Sequence, residues 1–253
     1  MFEEPYRWVE AIRHRREYLE DQLSGGSPVV GLSWKNGAVL ATAESATQKI
    51  YEIYDQIAFG GIGHPSDLEK LRATVLETAH IEGFNRSPGD VNLQRLIKFG
   101  IAPVIKQAFE EILHSPFIAR LLFVEISIPS RKPYFLRINY DGIFDESSRD
   151  GILAPTSALS EKMSRFIQAQ NLLPDLALDE AVQWAMRTWA ISKLPSGPEE
   201  NGESPGGETQ KLDRLIRENL SSWKPEISVL DLELPGTSKY RTLSTQEITA
   251  CWR

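Results

Sequence analysis

The order in which two apolar periodicities alternate along the chain is what most limits its fold. A helical stripe comes first, with Val9, Ile12, Leu19 and Leu23 spaced over residues 6–23, and Gly25-Gly26 ends it. Strand-like alternation follows. Pro28, Val30, Leu32 and Trp34 fall on one face, Asn36-Gly37 offers a turn, and Val39, Ala41 and Ala43 return. Residues 49–62 read as a second strand pair bending at Asp55-Gln56. A helix is predicted after Ser66, with Ser66 and Glu69 forming a capping box, Leu68, Leu71, Val75 and Leu76 in its stripe, and Gly83 as its end. The next helix is capped by Ser87, and Pro103 predicts a kink near Gly100, because proline cannot donate to the preceding turn. Strands resume at Leu121–Ile128 and Tyr134–Tyr140, and Asp141-Gly142 turns the chain into Ile143 and Phe144.

Two more helical stripes follow: Leu159, Met163, Phe166 and Ile167, then Val182, Ala185, Met186, Trp189 and Ala190. Residues 195–210 carry three Pro, four Gly and four Glu, which predicts a flexible acidic loop. Leu212, Leu215, Ile216, Leu220 and Trp223 predict a short helix behind it, and Ile227–Leu234 and Tyr240–Leu243 are the final strands. The sequence of blocks is therefore helix, strands, two helices, strands, two helices, strands. An α+β fold in which two sheets pack face to face between helical layers, a four-layer α-β-β-α sandwich with an extra N-terminal helix, buries every stripe. Other α+β layouts share the same periodicities.

Composition narrows the function. The chain has 253 residues, enough for one large domain or two small ones, and its 41% hydrophobic and 25% charged content is ordinary for a globular protein. A net charge of −7 speaks against general affinity for nucleic acid. The basic run Arg13-His14-Arg15-Arg16 is interleaved with Glu10, Glu17, Glu20 and Asp21, the pattern of a solvated or subunit-facing helix side. No stretch reads as a membrane span or signal peptide, and a lone Cys251 allows no internal disulfide, so the expected compartment is the cytoplasm. His14, His64, His80 and His114 are scattered, and neither a metal site nor a cofactor is expected.

The one position with catalytic promise is Ser27, in Gly25-Gly26-Ser27-Pro28-Val29-Val30-Gly31-Leu32. A hydrolase that uses its own N-terminal amine as base needs Ser or Thr as residue 1. Here the Ser27 nitrogen is in a peptide bond. Catalysis would require cleavage after Gly26.

Taken together, these segments resemble the proteasome α-type subunits, and specifically the bacterial kind. The matching stretches are Glu10-Ala11-Ile12-Arg13-His14-Arg15, Pro28-Val29-Val30-Gly31-Leu32, Gly37-Ala38-Val39-Leu40 with Ala43-Glu44, and Gln48-Lys49-Ile50 with Ile57-Ala58-Phe59. Gly61-Ile62-Gly63-His64-Pro65-Ser66-Asp67 and the Tyr140-Asp141-Gly142 turn complete the set, and the resemblance runs from about residue 8 to about residue 245. Pro103 and the long segment 195–223 depart from the family pattern.

The resemblance implies an N-terminal-nucleophile hydrolase fold over residues 1–253 in a chain that is not itself an enzyme. It implies a seven-membered ring of copies stacked on catalytic β-type subunits, with docking of a ring-shaped ATPase or an ATP-independent activator. No nucleic acid or membrane partner is implied. Residues 1–8 would be a gate tail, with Phe2, Tyr6 and Trp8 as its apolar residues, and residues 9–24 the helix on the ring face. The Tyr-Asp-Arg gate motif of archaeal and eukaryotic relatives is absent. Lys49 matches the lysine that receives an activator's C-terminal carboxylate, with Gly26 and His64 lining the same pocket. Two alternatives stay open at this stage. One is a self-processed hydrolase beginning at Ser27, with Lys49 and Glu44 near the places of its lysine and acid. The other is an α-like ring that assembles without β subunits.

Overall fold

Two five-stranded antiparallel sheets face each other, and helices cover both outer sides. The computed structural model describes residues 4–111, 113–127, 130–172, 175–194 and 205–252. The chain opens with α1 (Glu4–Leu23), then β1 (Val29–Trp34), β2 (Gly37–Thr42), β3 (Ile50–Tyr54) and β4 (Ile57–Gly63). The helices α2 (Pro65–Asn85), a single turn α3 (Leu93–Arg95) and α4 (Ala102–Glu110) follow. Next come β5 (Ala119–Ser127), β6 (Lys132–Ile138), β7 (Phe144–Ser147), β8 (Asp150–Leu153), α5 (Ser157–Ala169), α6 (Leu178–Ala190) and α7 (Pro205–Trp223). The chain closes with β9 (Glu226–Asp231), β10 (Tyr240–Thr242) and α8 (Thr245–Ala250).

The first sheet runs β10-β9-β2-β1-β8 and the second β3-β4-β5-β6-β7. Each sheet buries both faces, so β1 and β2 carry almost no exposed position. Val29, Leu40, Val124, Ile126, Phe135 and Leu230 fill the space between the sheets. Val30, Val39 and Ile152 turn the other way, against Met163, Val182, Met186 and Trp189 of α5 and α6. Phe59, Leu121 and Phe123 do the same against Leu71, Val75 and Ile105 of α2 and α4. This is the four-layer sandwich, with three apolar seams between its layers.

Several local expectations are corrected. The first helix begins at Glu4, before the expected residue 6. Helix α2 starts at Pro65 with His64 as its cap position, and no side chain caps it. Glu69 does not reach back to Ser66 because it pairs with Arg72, at 3.0 Å from Arg72 Nε. Gly83 lies inside α2, which runs on to Asn85. Ser87 starts only a short 3-10 turn, and the cap that works is Asn92, whose Oδ1 accepts from the Arg95 amide at 3.0 Å. A π turn spans Leu96–Ile101, where the Ala102 amide reaches Ile97 O, so Pro103 enters the next helix where the ladder has already been shifted. In the first hairpin Trp34 pairs with Gly37, so Lys35-Asn36 is the loop rather than Asn36-Gly37. Gly37 is needed for closeness instead: a Cβ there would stand 2.0 Å from the Leu230 carbonyl oxygen.

The expected short helix near 212–223 is a 19-residue helix from Pro205. Residues 195–204 of the expected acidic loop lie outside the described residues. Strands β7 and β8 and helix α8 were not anticipated. The first two are four residues each, too short to show a period. No helix among the described residues is long and apolar enough to cross a membrane.

Candidate functional site

The end of α1, the start of β1 and the β2–β3 connection meet at one corner of the sandwich. Gly25-Gly26 releases the chain from α1, and the Gly26 amide donates back to Leu23 O at 2.9 Å. A Cβ on Gly26 would lie 2.3 Å from Ile62 Cγ2 of β4, so only glycine lets the chain pass here. Ser27 follows, and its hydroxyl is fully engaged. It donates to Ala43 O at 2.5 Å and accepts from the Trp189 indole N–H at 3.0 Å. Thr42 beside it donates to Pro28 O at 2.7 Å.

Lys49 stands just before β3, half-buried, with its ammonium 3.3 Å from the Ser27 carbonyl oxygen. That carbonyl is the only hydrogen-bond partner of the ammonium, and no carboxylate lies within ion-pair distance of it, among the described residues. Burial lowers its pKa from the ordinary lysine value, and the negative charge of Glu226 opposes that shift. Glu226 is raised by its own burial, against the amides of Ile50 and Lys49, which hydrogen-bond to it, and the Lys49 charge. Its carboxylate accepts from the Lys49 amide at 3.0 Å and the Ile50 amide at 2.8 Å.

Of the residues picked out by sequence, Lys49 and Gly26 are brought together at this corner. His64 is exposed at the far end of β4, two residues beyond the Ile62 that walls Gly26. Its amide donates to Ile118 O at 2.8 Å, but among the described residues no hydrogen bond or ion pair joins its side chain to Lys49. Trp8 on α1 is 46% exposed. Tyr6 falls within the α1 backbone and Phe2 lies outside the described residues. Glu44 is turned away from Lys49 and pairs with Lys193. Glu226 and Trp189 were missed as site residues, since both meet the corner across more than a hundred residues of chain and no local signal marks such a contact.

The α1 helix is fastened to the domain. Glu20 accepts from Arg120 at 2.5 Å and from the Tyr140 hydroxyl at 2.8 Å. Burial and the bond to Glu20 push the Tyr140 hydroxyl up to about 12. Leu19 and Leu23 of the same helix join the seam between the sheets.

No model of a known protein family matches the chain. Individual relatives do. The chain is 28% identical over 242 residues to the proteasome subunit alpha of Saccharomonospora viridis, covering 94% of this chain and 85% of that one. It is 30% identical over 196 residues to the proteasome subunit alpha of Frankia casuarinae, covering 76% and 78% respectively. The same-named protein of Streptosporangium roseum is 26% identical over 237 residues, covering 91% and 80%.

Proposed function

The chain belongs to the proteasome α-subunit family, and from that premise we propose that it is a non-catalytic ring subunit whose Lys49 corner docks the C-terminal carboxylate of an activator. Copies of it form a seven-membered ring on a ring of β-type subunits, which carry the catalytic residue. The Lys49 ammonium carries the argument. It is half-buried and, among the described residues, has only one acceptor, the neutral Ser27 carbonyl at 3.3 Å. An incoming carboxylate would provide the anionic partner that the described residues do not. A charge-assisted bond of this kind contributes about 1.5–3 kcal/mol. Several tails on one ring would bind with avidity well beyond one contact. Gly26 supports the reading by letting the chain pass close against Ile62 and so bring the Ser27 carbonyl to the Lys49 ammonium.

The α1 contacts support a retained N-terminal segment. Release of residues 1–26 to expose the Ser27 amine would break the Glu20 bridges to Arg120 and Tyr140 and remove Leu19 and Leu23 from the inter-sheet seam. It would also leave Ser27 with its hydroxyl proton already donated to Ala43 O. The start of α1 and the residues before it, with Phe2, Tyr6 and Trp8, serve as the gate, and His64 forms the outer rim of the docking corner.

Co-expression with β-type chains is the first test, with the assembled particle sized on a column. A two-ring-type assembly with peptide hydrolysis is expected, and failure of every β chain to co-migrate would sink the ring-subunit reading. Lys49→Ala in the assembled particle should abolish activator-stimulated degradation of an unfolded protein while leaving hydrolysis of small peptides intact. Undiminished stimulation would refute the docking assignment. Deleting residues 1–8 should speed entry of an unfolded protein without any activator; an unchanged rate would remove the gate.

A further inference from the structure

The geometry points to Glu226 as a positioning residue that fixes the Lys49 segment, and with it the docking ammonium, to the base of α7. This rests on the docking reading of Lys49 given above.

Glu226 is the first residue of β9, in the first sheet, where it pairs with Thr42 at the end of β2. Ile50 opens β3 directly after Lys49, at the edge of the second sheet. One carboxylate spans the two sheets and receives the amides of both residues, at 3.0 and 2.8 Å. The connection it ends, residues 43–49, has no regular secondary structure, and most of it is exposed. Its own side chains do little to hold it. Ser45 Oγ bonds Thr47 O at 2.5 Å, and Gln48 Nε2 bonds Ile50 O at 2.8 Å.

The other end of the same connection is held from the same direction. Glu44, at a φ of 53°, gives its amide to Trp223 O at 2.7 Å, and its carboxylate pairs with Lys193. Lys193 lies just before the 195–223 segment, and Trp223 is the last residue of α7. Both roots of that segment thus grip Glu44 at one end of the connection, and Glu226, three residues beyond Trp223, grips the Lys49 end. Trp223 also packs edge-on against Trp189, with ring centroids 5.1 Å apart, and Trp189 holds the Ser27 hydroxyl. The carbonyl of that same serine is the acceptor for the Lys49 ammonium.

Glu226 does two separable things. Its two acceptor oxygens set where β3 begins and therefore where the Lys49 side chain leaves the backbone. Its charge lies near enough to favour the protonated amine. Tyr240 and Tyr51 also sense that charge, and Glu52 faces Tyr240 from β3. An anion this close would weaken an incoming carboxylate if charge alone mattered. The proposal is that position outweighs that repulsion.

Two variants separate these roles in the full chain. Glu226→Gln keeps the size but removes the charge and places an amide donor against a backbone N–H. Glu226→Asp keeps the charge but shortens the reach. Hydrogen exchange of the Lys49 and Ile50 amides should quicken by about tenfold or more in both, the scale of one lost charge-assisted bond. The amides of Val39 and Phe59 should stay protected, which shows that the fold holds. Reductive methylation with a carbon-13 label follows the Lys49 amine, identified by the signal missing in Lys49→Ala. Its pKa should fall in Glu226→Gln and stay near the wild-type value in Glu226→Asp. Acetate serves as the smallest carboxylate probe, and both variants should need more of it to shift the Lys49 signal to saturation. Wild-type exchange at the two amides, or wild-type acetate response in both variants, would overturn the role of Glu226. If acetate leaves the Lys49 signal of the wild type unmoved, the docking reading fails instead. The exchange rates and the amine pKa then still decide whether Glu226 places the lysine.

Discussion

Ser27 and Lys49 share one corner and are joined by a single bond, from the lysine ammonium to the serine carbonyl. Their polar groups are used in opposite ways. The Ser27 hydroxyl donates to Ala43 O and accepts from Trp189, so both its donor and an acceptor site are committed to the fold. The Lys49 ammonium has three donors and, among the described residues, one neutral acceptor, and burial already disfavours its charge. A side chain whose bonding is complete is a structural pin. One that is half-buried and under-partnered is, on the docking reading, a place for an anion. Ser27 thus serves stability, and on the docking reading Lys49 serves binding.

The largest effect should come from the pin. Trp189→Ala removes a fully buried indole that packs against Trp223 and holds Ser27, and should cost about 3–5 kcal/mol. Chemical denaturation of the isolated chain measures it; a loss as small as that of a surface change would break the contrast. Ser27→Ala comes next. It leaves the Trp189 N–H without its acceptor and should cost about 1–3 kcal/mol. The same variant assembled with β chains should keep full peptide hydrolysis, and intact mass should show residues 1–26 still attached in both forms. Loss of hydrolysis, or a product starting at residue 27, would reverse the assignment of the two residues.

Lys49→Met should do the converse. Its one 3.3 Å bond is weak, so stability should shift by less than about 1 kcal/mol while activator stimulation disappears. A large stability loss would make Lys49 a second pin.

The smallest effect lies far from the corner, at the cap of α8. There the Ser244 amide and hydroxyl, with Arg241, hold Glu247 down at about 2. Its folded value lies below the ordinary carboxylate range. The stability it contributes is therefore complete above that range and is lost as pH falls through about 2. Glu247 is exposed, so screening keeps the contribution below about 1 kcal/mol. A carbon-13 titration of Glu247 with a midpoint in the ordinary range would remove it.

Much of the architecture was legible in the sequence, because each helix and long strand carries its own apolar period. The stripe Val182, Ala185, Met186 and Trp189 is the buried face of α6, and the strand pair 49–62 folds back where Asp55-Gln56 predicts. Capping and turn details were less so. Ser66-Glu69 and Asn36-Gly37 are sound local signals, but Glu69 found Arg72, and the approach of Leu230 used Gly37 for clearance instead of for a turn.

By itself the sequence determined the order of helices and strands, the family resemblance and the candidacy of Lys49, since these depend on periodicity and on short runs of neighbouring residues. Only the tertiary structure decided that Ser27 is a pin, that Glu44 turns to Lys193, and that Glu226 meets Lys49 across 177 residues. Those pairings form because two sheets and the base of α7 converge on one corner. Partners so far apart in the chain leave no period or motif in the sequence to announce them.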